Sequence, residues 1–154
     1  MNSRAVFDCM LFLQAISSPN GPAMACFDRA QTAGVQLCSS PQVEQEILSI
    51  LMKPELHRRI RQLTPERVSR FLDQYKQDAL LIRDVPVSFR LPRDPKDEPY
   101  INLAIAAGVS HLVTWNDRHL TYLMRQDTPE GINFCLRYPH LKILTPVEFL
   151  KKFA

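Results

Sequence analysis

Ala5-Val6-Phe7-Asp8, followed closely by the apolar stretch Met10-Leu11-Phe12-Leu13, is the stretch from which the fold can be built outward. Residues 4–8 have the composition of a short buried strand. Residues 11–16 begin a helix, which the turn-forming run Ser17-Ser18-Pro19-Asn20-Gly21-Pro22 ends. Asp8 stands at the junction. A carboxylate bracketed by apolar residues is costly to bury unless something offsets its charge.

Strand and helix signals alternate from there to the end of the chain. A helix over 23–33 stops at Gly34, a plausible left-handed terminator, and Val35-Gln36-Leu37-Cys38 alternates as a strand. Ser40-Pro41, Thr64-Pro65 and Thr145-Pro146 each place a capping hydroxyl before a proline at the first helical position. Thr145 is also followed three residues later by Glu148, the partner of a capping box. These signals predict helices over 41–52, 65–79 and 146–152, with a shorter basic helix near 55–62. Leu80-Leu81-Ile82 predicts a third strand, and 84–96 a proline-rich connection. A helix over 97–107 ends at Gly108, a strand covers 111–114, a helix 117–125, a loop 126–139 and a fifth strand 141–144. Short strands alternating with helices predict an α/β fold with a mainly parallel sheet. With no internal repeat or second domain in view, residues 1–154 are expected to form one domain.

Bulk properties exclude several classes. A chain of 154 residues buries roughly 68–70% of its unfolded surface and needs no staple to fold. Its 45% hydrophobic and 23% charged residues are those of a globular protein rather than a disordered or fibrous one. Net charge +3 is compatible with a nucleic-acid partner without identifying one. Cys9, Cys26, Cys38 and Cys135 show neither C-x-x-C pairing nor zinc-ligand spacing, as expected of reduced thiols in a cytosolic protein. No run approaches the ~18 apolar residues of a membrane span. The N-terminal apolar stretch is interrupted by Asp8 and has no clean cleavage site. The expected location is therefore cytoplasmic, with no membrane association.

Ligands of parallel α/β sheets bind outside the carboxyl ends of the strands. Asp8 lies at such an end, and Thr114, Asn116 and Asp117 follow the fourth strand. Asp97 opens the helix that leads into it, and Glu46 lies in the second turn of the helix after Ser40. Two carboxylates about 4 Å apart repel by roughly 4 kcal/mol at an effective dielectric near 20, so a cluster needs a cation or a proton. All-oxygen donors suit Mg²⁺ or Mn²⁺, which can activate water against a phosphodiester. Plainer roles stand beside this one. Asp97 could be a helix cap favoured by the macrodipole, and Glu46 a solvated helix residue. Val43, Ile47, Ile50 and Leu51 form one apolar stripe flanked by Glu44 and Glu46, so periodicity does not choose between the two glutamates.

Four stretches together carry a family likeness: Ala5-Val6-Phe7-Asp8; Ser40-Pro41-Gln42-Val43-Glu44-Gln45-Glu46-Ile47; Asp94-Pro95-Lys96-Asp97-Glu98-Pro99-Tyr100; and Gly108 through Val113-Thr114-Trp115-Asn116-Asp117. In order and context they resemble the PIN-domain nucleases, over nearly the whole chain. More narrowly they resemble the branch that supplies the toxins of toxin–antitoxin pairs, the VapC-like ribonucleases. The resemblance implies a three-layer α/β/α fold with a five-stranded, mainly parallel sheet. It implies Mg²⁺- or Mn²⁺-dependent cleavage of RNA, with Asp8, Glu46 and Asp97 as acids of the site, and it favours Glu46 over Glu44. It also implies a cognate antitoxin, which could insert a basic side chain into the acidic pocket, and a possible homodimer. Two departures stand out. Asp8-Cys9-Met10 replaces the common Asp-Thr-Asn, and the fourth acid aligns with Asn116, leaving Asp117 one residue late.

The expected activity is therefore a metal-dependent endoribonuclease, with Asn116 or Asp117 completing the site. The alternative is a catalytically weakened PIN fold that binds RNA or protein. A phosphatase using Asp8 as nucleophile is a poorer match, since it would want an acid where Met10 stands. Arg90, Arg93, Lys96 and Arg118 are the preferred phosphate contacts. His57-Arg58-Arg59-Ile60-Arg61 after Lys53 is either a second basic grip, a partner surface or a solvated helix face. Trp115 either stacks on a base or packs, and His119 is a neighbour of the acids rather than a catalyst.

Overall fold

Asp8 is carried to the middle of the molecule because the first strand is the middle of the sheet. In the computed structural model, which describes residues 3–154, β1 (Arg4–Phe7) lies between β2 (Gln36–Ser39) and β4 (His111–Val113). β3 (Leu80–Leu81) and β5 (Lys142–Leu144) form the edges, giving the order β3-β2-β1-β4-β5. Every pairing is parallel: Ala5 opposite Leu37 and His111, Cys38 opposite Leu80, Leu112 opposite Ile143. The chain builds outward from β1 to one side, then crosses to the other. At such a switch point the connections leave to opposite faces, and a crevice opens at the carboxyl ends of β1 and β4.

Helices flank the sheet: α1 (Cys9–Ser17), α2 (Pro22–Thr32), α3 (Pro41–Leu51), α4 (Pro54–Arg59), α5 (Pro65–Asp78), α6 (Glu98–Ala106), α7 (Pro129–Arg137) and α8 (Pro146–Lys152). The Ser-Pro and Thr-Pro starts do what their chemistry predicts. Ser40, Thr64 and Thr145 accept from the backbone N–H of Val43, Arg67 and Glu148, and Thr145 with Glu148 closes a full capping box. Gly34 and Gly108 take positive φ just past α2 and α6. α1 packs on α2, α3 and α5, while α6 lies against β1 and β4. Edge-to-face rings knit the first group, with Phe12 4.7 Å from Tyr75 and 5.0 Å from Phe27, which is in turn 5.0 Å from Phe7. Among the described residues no helix is long and apolar enough to cross a membrane.

Two expectations fail in the same region. The helix expected over 117–125 is a run of turns followed by a short 3-10 helix, Thr121–Met124. Asn116 opens this segment as an N-cap does: its Oδ1 accepts from the His119 N–H at 3.1 Å and its backbone oxygen from Leu120 and Thr121. The bonds that follow, Leu123 N–H to Leu120 and Arg125 N–H to Tyr122, are of the tighter three-residue kind. The loop expected over 126–139 contains α7. Its start carries the signal seen elsewhere: Thr128 precedes Pro129 and accepts from the Gly131 N–H at 3.0 Å. Gly131 inside the pattern argues against a helix by propensity. It is needed because a Cβ there would fall 1.8 Å from the Arg125 carbonyl oxygen. α1 also begins earlier than expected, at Cys9, because Asp8 itself caps it.

Candidate functional site

Asp8 is 5% exposed, and its carboxylate is held from two elements. One oxygen accepts from the Met10 N–H at 3.0 Å as the N-cap of α1. The other accepts from the buried Thr114 hydroxyl at the end of β4. Burial raises the acid from its ordinary 3.8 to about 6, and the Thr114, Met10 and Leu11 bonds keep it from rising further. The offset expected from the apolar surroundings is thus supplied in part by hydrogen bonds, and the remainder stays as a raised pKa.

Asp97 ends the 3-10 turn Pro95–Asp97 and stands at the N-cap position of α6, yet its side chain makes no capping bond. The plain cap role is therefore not the one it plays. Its Oδ2 accepts instead from Asn116 Nδ2 at 2.6 Å. Burial, followed by the neighbouring Asp94 carboxyl and then Asp8 and Glu46, pushes Asp97 up to about 7. Asn116 is well fixed for this contact, because its backbone N–H donates to Thr114 Oγ1 at 2.9 Å. Asp117 goes elsewhere: it is exposed and accepts from Thr121 Oγ1 at 3.0 Å. Asp94, quoted above only as part of a motif, belongs to this group. Its Oδ1 accepts from Lys96 N–H, and its Oδ2 lies 4.0 Å from His119 Nε2.

Glu46 projects from α3 toward the same place. Its pKa is raised by burial and then by Asp8, and lowered slightly by Lys96, which lies within electrostatic range. Glu44 faces Tyr75 instead, where its charge raises the phenol. Behind Glu46 the Tyr100 hydroxyl is fully buried and makes no hydrogen bond, although Cys9 and Glu46 face it. Cys9 is pushed up to about 12 by burial and the Asp8 charge, so its thiol is protonated and inert at neutral pH. Tyr100 was missed from sequence because a tyrosine on an apolar helix looks like packing. Asp94 was missed because nothing local separates a motif acid from a turn-forming one.

The basic residues divide. Arg93 lays its guanidinium over the Tyr122 ring, 4.6 Å from the centroid, and Arg90 lines the same cleft. Lys96 faces the acids, and Arg118 is exposed on the turn after Asp117. The cluster at 57–61 lies on and just after α4, with Arg58 and Arg59 exposed. Trp115 is half-buried and its indole N–H bonds to Gln14 of α1.

A divalent metal is implied by the chemistry of the acids, and the donors suit one. All are oxygen, and they come from three elements, with Asp8 raising the pKa of Glu46 and both raising that of Asp97. Their side chains are not drawn into a ready cage: among the described residues no three His, Cys, Asp or Glu groups stand close enough to share one ion.

Comparison with known proteins agrees with this architecture. Residues 4–118, about three quarters of the chain, match a family model described as the PIN domain, and that span holds all four acidic stretches. A protein of Methanocaldococcus jannaschii, itself described only as uncharacterized, is 25% identical over 150 residues, spanning 97% of this chain and 91% of the relative. No solved structure matches significantly. PIN domains are generally nucleases that use divalent metals. With its all-parallel five-stranded sheet, flanking helices and matched stretch from the first strand past the fourth, this chain belongs to the PIN-domain family.

Proposed function

We propose that the chain is a metal-dependent endoribonuclease that hydrolyses RNA phosphodiesters, and that it serves as the toxin of a toxin–antitoxin pair. One observation carries the catalytic part. Three carboxylates come from separate elements near the carboxyl ends of β1 and β4: burial raises Asp8, the Asp8 charge adds to the rise of Glu46, and both add to the rise of Asp97. Such a group is unfavourable at neutral pH unless a cation is bound there. Asp8, Glu46 and Asp97 would hold Mg²⁺ or Mn²⁺, which supplies Lewis-acid activation of water and neutralises charge on the phosphate. Asn116 completes the site in preference to Asp117: its amide fixes Asp97, whereas Asp117 is engaged by Thr121. Lys96, whose charge acts on Glu46, would meet a phosphate beside it. The toxin role rests on the family resemblance. It would be met by an antitoxin that puts a basic side chain among these acids.

A second reading has an observation of its own. No three of the acids converge on a cation-sized space, and the fourth acidic position is the neutral Asn116. That favours a PIN fold which binds RNA or protein without cutting.

The readings separate when purified protein is incubated with single-stranded RNA and Mn²⁺, beside a chelated control. Glu46→Gln is expected to lower the cleavage rate by about 100-fold or more, while Glu44→Gln stays within about twofold. Equal loss in both would remove Glu46 from the site. Asn116→Ala should cost about 10- to 100-fold, the usual price of losing a group that orients a metal ligand, and Asp117→Ala little. RNA bound but left intact by the wild type selects the second reading. Cleavage surviving Asp97→Asn marks a contaminant.

A further inference from the structure

We propose that the cleft between residues 89–93, the 3-10 helix Thr121–Met124 and α7 seats the single-stranded RNA that flanks the cut site; the identity of this ligand rests on the nuclease reading. The cleft has a volume of about 830 Å³, within the range of sites that hold drug-sized ligands. Arg90, Arg93 and Arg137 line it together with Phe89, Tyr122 and Phe134, and Glu130 is the acid among its lining residues. All three arginines are exposed, so their charges are available to a ligand.

The arrangement suits nucleotides in particular. Arg93 lies flat over Tyr122, and Arg137 lies over Tyr138 at 5.1 Å while donating to the Ser88 carbonyl at 3.1 Å. A guanidinium fixed on an aromatic ring presents a charged plane on which a base can stack, with edge N–H groups left for phosphate. Phe89 stands edge-on to Phe134, ring centres 5.2 Å apart, and stiffens the floor. Alternating cations and π-faces fit an unpaired strand, whose bases are free to stack, better than a duplex.

Both walls run directly into the acidic cluster. Arg93 precedes Asp94, whose backbone N–H bonds to the Leu91 carbonyl at 3.1 Å. Tyr122 follows Leu120 and Thr121, whose N–H groups bond to the Asn116 carbonyl at 3.2 and 3.0 Å. Tyr122, Phe134 and Arg137 lie beyond residues 4–118, so this half of the cleft is outside the stretch that defines the family match.

The test is binding of a short labelled single-stranded RNA, with metal chelated, across a range of salt. Arg90→Glu with Arg137→Glu is compared with Arg58→Glu and Arg59→Glu on α4, which changes the net charge equally. The cleft pair should weaken binding by about 10-fold or more and flatten the salt dependence by about 0.7 per lost contact. In Mn²⁺ it should raise KM more than it lowers kcat, and Arg90→Glu alone, which leaves the Arg137 bond to Ser88 intact, should raise KM in the same direction with the melting temperature unchanged. The α4 pair should do much less. Equal effects of the two pairs, or an unchanged salt slope in the cleft pair, overturn the cleft assignment while wild-type cleavage leaves the nuclease reading standing. Arginine-dependent binding without any cleavage keeps the cleft and removes the nuclease. Preference for an equal-length RNA duplex, or for an acidic protein with no RNA bound, overturns the proposal.

Discussion

Asp8→Asn is expected to abolish RNA cleavage and, in the metal-free protein, to raise stability. Both effects have one origin. The folded protein holds Asp8 at about 6 against an ordinary 3.8, so the native state binds the proton more tightly than the unfolded chain. Native stability is then greatest where the acid is protonated, and it declines as pH rises from about 4 to about 6, levelling off above. The full penalty at pH 8 is roughly 3 kcal/mol, at 1.36 kcal/mol per pK unit. Asparagine removes the charge but keeps an oxygen to accept from Met10 N–H, and its amide can donate to Thr114. Denaturant melts should therefore show the variant more stable than wild type by about 2–3 kcal/mol at pH 8, with the gain vanishing near pH 4. Cleavage should fall by about 1,000-fold or more in the same protein. A variant less stable at pH 8 would mean that the ionised carboxylate is favoured in the fold and that its burial is not a cost the fold must overcome. Saturating Mn²⁺ should narrow the gap by stabilising wild type alone.

Asn102→Leu carries the largest expected loss of stability. Asn102 is 5% exposed in α6, and its side chain behaves as a piece of backbone. Its Oδ1 accepts from the N–H groups of Ser88 and Phe89 at 2.9 and 2.8 Å, and its Nδ2 donates to the Phe89 carbonyl at 3.1 Å. Leucine has a similar size and satisfies none of these groups. Each unmet buried group costs about 1–3 kcal/mol, lessened here because the loop is partly wet, so about 3 kcal/mol in all is expected. In a chain of this length that lowers the melting temperature by roughly 6–12 °C. The change should be felt in function too. Residues 88–93 would come loose from α6, and KM for RNA should rise while Asp8, Glu46 and Asp97 stay in place. A loss below about 1 kcal/mol would show that the proline-rich segment holds its own shape.

How much of this was legible in the sequence varies with the range of the interaction. The order of strands and helices was readable because each is announced locally, by an apolar run or by a hydroxyl before proline. Asp8 was readable for the same reason, since its neighbours along the chain are also its neighbours in space. Glu44 and Glu46 were not separable, because the apolar stripe shows which side is inside but not which flank points along the sheet to β1. Asn116 and Asp117 were not separable either, because what divides them is which one reaches Asp97 from a distant element, and the other turns to Thr121. α7 was hidden by Gly131, whose presence reflects the approach of the Arg125 carbonyl rather than any local preference. Asn102 and Tyr100 were silent: one polar and one aromatic residue on an apolar helix, whose roles depend on distant chain.

The bond between Thr114 and Asp8 spans 106 residues of chain, and the central strand that carries Asp8 is complete only when β4 lies beside it. The pocket around Asp8 therefore exists only once segments 106 residues apart have met, and no local piece of the chain can assemble it. Non-local parallel pairing usually slows folding, so the buried acid acquires its partner late in that process.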